Sequence, residues 1–495
     1  MSDKRCAIIG GGLGGLAAAI RIAGYGVTVD LYEQHGHVGG KANELHVDGF
    51  RFDTGPSLLT MPFVLESLFA DAGETVKDYL TIDPLAQHCK YFYPDGTEIT
   101  AFADRDDFAR EIEAKTNDRA GNVKKYLSYA KGIYDLSADL FLFNDIHELS
   151  TYREQGSPRT LLNLWRLDSL RTVHRANSAF FHDPRVIQLF DRYTTYNGSN
   201  PYQAPATLNI IPHVEYNMGS FIVREGIYRI PQALRELAEK QGVTIHTNRR
   251  VERIVHANKR VKGIILDGDM LPYDCVCSNA DVYTTYRDLL EDETSRGAKR
   301  YRRLEPSSSA LVFFWGVRGG LSDKVGVHNI LFSADYKEEF GELFDRKICP
   351  HDPTVYIYCS SLFNPSDAPT GNENWFVMIN APYDDGQDWG REMHESRKRI
   401  VHKIDSLLHI DIEKHIACER ITTPRDIEAQ TMSHRGSIYG ISSNSRTAAF
   451  MRQRNRSRRY TGLYFCGGSA HPGGGIPLVL LSGKICAELV RRFEL

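Results

Sequence analysis

The sequence predicts an α/β fold: a Rossmann-like dinucleotide-binding sheet assembled from separated stretches of chain, with further sheet and helical regions between them. Two glycine-rich turns near the two ends of the 495 residues, and an acidic residue closing the second predicted strand, support this reading. At the first end, Cys6-Ala7-Ile8-Ile9 reads as a short buried strand and residues 16–23 as a helix of good formers. Gly10, Gly12 and Gly15 between them fill the pattern G-x-G-x-x-G. The first glycine allows a tight turn, the second lets backbone approach a pyrophosphate, and the third lets the helix pack closely on the strand. Leu13 and Gly14 complete the loop, and the helix N-terminus offers free N–H groups and partial positive charge to phosphates.

Residues 27–32 predict the second strand, which ends in Glu33, 23 residues after Gly10. A carboxylate there, followed by Gln34, suits both hydroxyls of a ribose and disfavours a 2′-phosphate. The fingerprint alone leaves NAD and FAD both open.

Composition limits the remaining possibilities. The length allows two or more domains with ample core. A net charge of −3 gives no footprint for nucleic acid. Nine scattered cysteines, an odd number, predict free thiols in a reducing compartment. Cys275 and Cys277 flank Val276 with no further ligands apparent, so no metal site is expected. The glycine motif leaves no room for a leader, and no run of 18 apolar residues exists. A cytoplasmic chain results, free to lie on a membrane face.

Further along, Gly39-Gly40-Lys41 would bring backbone and a cation to the second phosphate or the flavin side. This stretch resembles the extended nucleotide motif of FAD-dependent amine oxidases and carotenoid desaturases, which usually carry Arg where Lys41 stands. Lys keeps the charge but not the bidentate geometry. Gly55-Pro56-Ser57 is similar to the turn that family places near the flavin, and it is also a plain tight-turn sequence.

Residues 105–195 are predicted mainly helical, with Phe108, Ile112, Tyr126, Tyr129, Ile133, Leu136 and Leu140 at helical spacing. Over residues 159–175, Leu161, Leu162, Leu164, Trp165, Leu167 and Leu170 alternate with Arg159, Arg166, Arg171 and Arg175. Such a stretch suits either an interfacial helix or an amphipathic core helix with a solvated basic face.

The turn cluster 196–205 leads into a segment with His213 and Glu215. Residues 243–246, 251–254 and 261–266 read as three strands, and the family resemblance puts the backbone of Val251 against the adenine. SSSALVFFWGV at 307–317, with 355–360 and 375–381, predicts the antiparallel sheet that floors the substrate cavity in this superfamily. Residues 389–408 predict a charged helix with a solvated face.

Near the C-terminus a strand ends in Gly467-Gly468, and Gly475-Ile476-Pro477 opens a final helix aimed at an acceptor such as the flavin pyrimidine oxygen. His471 to Pro477 closely resembles the C-terminal motif of bacterial and fungal phytoene desaturases. Many related flavoproteins carry Glu or Asp where Gly468 stands; that side-chain contact is absent here, as it is in some carotenoid desaturases.

The resemblance covers essentially the whole chain. With YNGSNPY at 196–202, ENWFVMINAP at 373–382 and GQDW at 386–389, it is strongest to the branch of 1-hydroxycarotenoid 3,4-desaturases. It implies FAD as cofactor and a lipid-soluble carotenoid drawn from a membrane surface. Hydride passes to flavin before proton loss, with a quinone or oxygen as final acceptor; His213, Glu215 and His471 are the candidate proton acceptors. Phytoene desaturation to lycopene or neurosporene is the alternative. Carotenoid isomerisation, amine oxidation and lipid binding of the GDP-dissociation-inhibitor kind also belong to related folds. The expected division places 1–75, 225–305 and 415–495 in a discontinuous FAD domain and 76–104, 196–224 and 306–414 in a substrate domain. Residues 105–195 form the helical, membrane-facing region.

Overall fold

Arg5–Ile9 is the middle strand of a parallel sheet in the computed structural model, which describes residues 4–147, 167–445 and 452–495. Across this five-stranded sheet run Thr244–His246, Thr28–Tyr32, Arg5–Ile9, Cys275–Ser278 and Leu463–Phe465. The central strands are short apolar runs rather than alternating ones because both faces are covered, one by helices and the other by the antiparallel strands over residues 253–272 with residues 282–290. One of these helices, Leu13–Gly24, is buried from Leu13 to Ile22. It packs on the C-terminal helix Ile476–Glu494 and on Arg229–Lys240. Its contact with the C-terminal helix depends on Gly483, where a Cβ would lie 2.6 Å from the Gly14 carbonyl oxygen and 2.8 Å from the Ala17 methyl.

The second large sheet has seven strands in the order Ile416–Thr422, Ser309–Arg318, Asn372–Ala381, Val355–Tyr358, His328–Leu331, Gln87–Phe92 and Glu98–Phe102. It is mixed rather than purely antiparallel, because His328–Leu331 runs parallel to Gln87–Phe92. Ile416–Thr422, expected with the nucleotide unit, pairs with Ser309–Arg318 as the edge strand of this sheet. The two-residue period of the strands gives the sheet two different faces. Leu311, Phe313, Trp315 and Trp375 point to a core shared with Ile400 and Ile404. Ala310, Val312, Phe314, Phe376 and Met378 point the other way, into a cavity. The helix Trp389–Leu408 therefore is not wholly solvated: Trp389, Ile400, Ile404 and Leu408 are its buried stripe.

Residues 243–246 do not begin the predicted meander. Thr244–His246 instead extends the parallel sheet by pairing with Asp30-Leu31-Tyr32. The meander comprises Arg253–Ala257, Arg260–Leu266 and Asp269–Pro272, so Val251 precedes its first strand. Beside the edge strand Glu98–Phe102, Arg105–Lys115 and Ala120–Ser137 bury Phe108, Ile112 and Tyr126 against Phe181, Phe190 and Tyr193. The candidate membrane helix falls largely outside the described residues; of its apolar positions, Leu167 is buried and Leu170 exposed. No described helix is long and apolar enough to cross a membrane.

Replacing Gly483 by Val should separate the first and last helices and cost about 1–3 kcal/mol of overpacking strain. Thermal denaturation of the variant against the parent checks this, and an unchanged melting temperature would refute the tight contact.

Candidate functional site

The loop after the first strand is shaped by contacts that exclude side chains. A methyl group at Gly12 would stand 2.7 Å from the Asn279 amide nitrogen, and one at Gly14 would stand 2.7 Å from the Asn279 Oδ1 and 2.9 Å from Gly467 Cα. At Gly15 it would collide with the Gly10 carbonyl, so the third glycine brings helix and strand together as expected. Gly467 closes the same cluster from the C-terminal side. Asn279 follows the strand Cys275–Ser278 directly and bonds the Gly10 carbonyl through its amide at 3.3 Å.

Glu33 is buried at the end of Thr28–Tyr32, and its two oxygens accept from the amides of Gly11 at 2.8 Å and His35 at 2.9 Å. These bonds fix the carboxylate while leaving lone pairs for a diol on the cavity side, which it lines beside Gln34. Val251 lines the same end. At the other end, Gly475 (φ 104°) precedes the helix Ile476–Glu494, and a Cβ there would meet nothing within 4 Å. The open cradle, with Gly468 and Pro477 on its wall, fits a flat acceptor facing a helix N-terminus.

Lys41 is less free than its sequence position suggests. Its ammonium donates to the carbonyls of Ser437 at 2.9 Å and Ile438 at 2.7 Å. Burial lowers it to about 8, with the Asp281 charge opposing. Gly55 packs on the Lys41 carbonyl too tightly for any side chain, and Pro56 and Ser57 follow it along the cavity.

All these groups open on one cavity of about 1260 Å³. Its nucleotide end runs without a break into an apolar end walled by Ala310, Val312, Phe314, Phe376, Met378 and Ile211.

The candidate proton acceptors separate. His471 lines the cavity, and its Nε2 donates to the Asn144 carbonyl at 3.0 Å, which leaves the lone pair on Nδ1. His213 and Glu215 do not line it. His213 lies against Tyr134 with Nδ1 on Asn217 at 2.7 Å. Glu215 is buried one layer back, accepting from Tyr193 at 2.6 Å, Tyr196 at 2.7 Å and Arg192 at 3.3 Å. Burial alone would raise its carboxyl, but the Arg192 charge and the tyrosine hydroxyls hold it below the ordinary value. The turn His213–Asn217 thus positions Arg192 and Tyr196, which face the cavity, and touches no reacting group itself.

Sequence reasoning missed Asn279, Arg192 and Arg452. Arg452 is buried on the cavity wall and donates to the carbonyls of Tyr439, Gly468 and Ile441 and to Asn197 Oδ1. Burial lowers it to about 10. Asn279 carried a usable signal, since residues at the carboxyl end of a parallel strand border the ligand crevice. Arg452, in a run of surface-like arginines, carried none.

Comparison with known proteins agrees with this geometry. A family model described as flavin-containing amine oxidoreductase matches residues 13–491. A 1-hydroxycarotenoid 3,4-desaturase of Flavobacterium sp. (strain P99-3) is 40% identical, over 98% of this chain and 99% of the relative. A 4,4′-diaponeurosporene oxygenase of Staphylococcus haemolyticus is 35% identical over 100% of this chain and 98% of its own. Among solved structures, an oxidoreductase from Methanosarcina mazei superposes with a TM-score of 0.65 at 16% identity, over 98% of this chain and all of that one, which shows the fold alone.

Two outcomes follow from the site. Glu33→Ala should weaken flavin retention on desalting, and flavin content equal to the parent would remove the ribose role. The half-buried His147 and the buried His328 are lowered to about 3, and His434 and His471 to about 4, in each case chiefly by loss of hydration. Unfolded, each titrates near about 6.5, so the unfolded chain takes up protons from there down to the folded values and stability falls with pH across that window. Asp191 raises His174 and opposes this in part. Thermal melts from pH 7.5 to 5 should therefore show a falling midpoint, with His471→Gln flattening the slope.

Proposed function

The chain belongs to the flavin-containing amine oxidoreductase family, and from that premise we propose that it is an FAD-dependent desaturase of acyclic carotenoids, acting on the C-3,4 bond of a 1-hydroxycarotenoid. The observation that carries this reading is the unbroken passage from the nucleotide cradle into the apolar end of the cavity. A long hydrocarbon chain fits such walls, whereas a small amine needs polar or anionic partners. The full-length similarity to a relative named for this reaction supports the same assignment.

FAD, when bound, supplies the hydride acceptor that an unactivated C–H bond requires. The residues of this chain do the remainder. Glu33 and the glycine loop hold the nucleotide half, and Gly467, Gly468 and the helix from Ile476 hold the flavin half. Hydride loss leaves a cation delocalised along the polyene, and the walls formed by Val312, Phe314 and Phe376 keep water from trapping it. A proton on the neighbouring carbon is then so acidic that a weak base suffices to take it. His471, neutral through burial, is the acceptor we assign, at Nδ1. A quinone or oxygen removes the electrons afterwards.

The substrate dissolves only in lipid, so we place the protein on the cytoplasmic face of a membrane without crossing it. Phe63 and Leu170 are exposed. The segment 138–147 contributes Phe141 and Leu142 to the cavity wall, and we assign this helical region to the lipid contact.

Expression in cells making phytoene, lycopene or 1-hydroxycarotenoids tests the reading. The hydroxylated pigment should lose two hydrogens per turnover. Conversion of phytoene alone would transfer the assignment to phytoene desaturation. Products of unchanged mass would indicate isomerisation, and products with added oxygen the chemistry for which the Staphylococcus relative is named.

A further inference from the structure

Two histidines stand on the wall of the apolar part of the cavity, and nothing in the proposed reaction uses them. His88 and His328 both line it, and their side chains belong to residues only 3% and 4% exposed. They stand on adjacent parallel strands, where Asn329 pairs with Lys90. In each ring Nδ1 is engaged, with the Ser220 hydroxyl for His88 and the Tyr356 hydroxyl, at 2.8 Å, for His328. In each ring Nε2 is buried and has no hydrogen-bond partner among the described residues. Buried polar atoms are rarely left unpaired, because the lost hydration is not recovered.

We propose that His88 and His328 form a subsite for the hydroxyl group of a hydroxylated carotenoid, and that this subsite selects such substrates over plain hydrocarbons. The inference rests on the desaturase reading above and sharpens its substrate class. A hydroxyl donates one hydrogen bond and accepts another. Each neutral imidazole presents a donor or an acceptor at Nε2 according to its tautomer, and the rotating hydroxyls of Ser220 and Tyr356 suit either tautomer. Burial keeps both rings below the ordinary histidine value, so they meet the ligand uncharged. The neighbouring Arg192 is paired with Glu215, so the subsite offers no net charge to attract a carboxylate or an amine.

The position is also right. Counting carbons, a hydroxyl on C1 lies two carbons from the nearer atom of the C3–C4 bond, so its subsite has to adjoin the reacting end of the cavity. Tyr356 links His328 to that end, because its hydroxyl also bonds Ser57 Oγ at 2.6 Å, beside Gly55 and Pro56.

The test uses purified holoenzyme and two acyclic carotenoids of equal length, one with and one without the 1-hydroxyl, presented in the same phospholipid vesicles. Anaerobic flavin bleaching gives the rate constant of flavin reduction and its half-saturating substrate concentration, and the shift of the carotenoid absorption band gives binding. The parent should prefer the hydroxylated substrate. His88→Leu and His328→Leu should each lower that preference about tenfold, mainly through the half-saturating concentration and binding, while His88→Gln and His328→Gln restore part of it. Flavin-retaining leucine variants with undiminished preference would overturn the subsite. Should those variants lose flavin, His88→Phe and His328→Phe decide, since they keep a ring but no hydrogen-bonding atom: preference lowered several-fold supports the subsite, and unchanged preference overturns it. A parent that bleaches equally with both substrates removes the subsite but leaves desaturation standing. A parent that bleaches with neither removes both.

Discussion

Three backbone segments meet around the side chain of Asn279, and they meet because Gly12, Gly14, Gly15 and Gly467 have no Cβ to hold them apart. Any side chain at these positions would push the first helix off its strand or the C-terminal turn off the first loop. The parallel sheet, the carboxylate of Glu33 and the helix that begins at Ile476 are all registered from this contact. The helix–helix seam at Gly483 repeats the same device one layer out, where the last helix rests on the first.

From that anchored end the molecule changes character along a single cavity. Polar atoms near the nucleotide loops are paired with backbone: Glu33 to two amides, Lys41 to two carbonyls, Arg452 to three carbonyls and an amide oxygen. Farther in, the inner face of the seven-stranded sheet supplies hydrocarbon. Arg192 on the wall and Glu215 behind it neutralise one another, and tyrosine hydroxyls cap the carboxylate. Such an interior suits a long hydrocarbon, and the rings of His88 and His328 interrupt it.

The nucleotide half was legible in the sequence because it depends on local rules. Glycine spacing, a strand before and a helix after, and Glu33 at the right separation all act within forty residues. The final turn from Gly467 to Pro477 was legible for the same reason. The apolar, β-branched and aromatic runs in Ser309–Arg318 and Asn372–Ala381 marked the strands, and the family resemblance made them the cavity floor. What did not show was anything set by pairing at a distance. The parallel match of His328–Leu331 with Gln87–Phe92 joins segments more than two hundred residues apart and has no periodic signature. Ile416–Thr422 and Thr244–His246 each carry too little pattern to name the sheet they join. His213 and Glu215 looked catalytic because of their residue types, but one turn of π-helix aims them away from the cavity.

The edge strand Leu463–Phe465 and the helix after it also set a schedule for synthesis. On the ribosome, the first loop emerges more than four hundred residues before the partners that complete its sheet and cover its first helix. For most of translation, Leu13–Gly24 must keep an apolar surface from sticking to other chains, since its final covering arrives with the last thirty residues. An unfinished chain thus exposes the apolar face of its first helix, and loss of residues 467–495 removes the C-terminal turn of the cofactor cradle along with the cover of that helix.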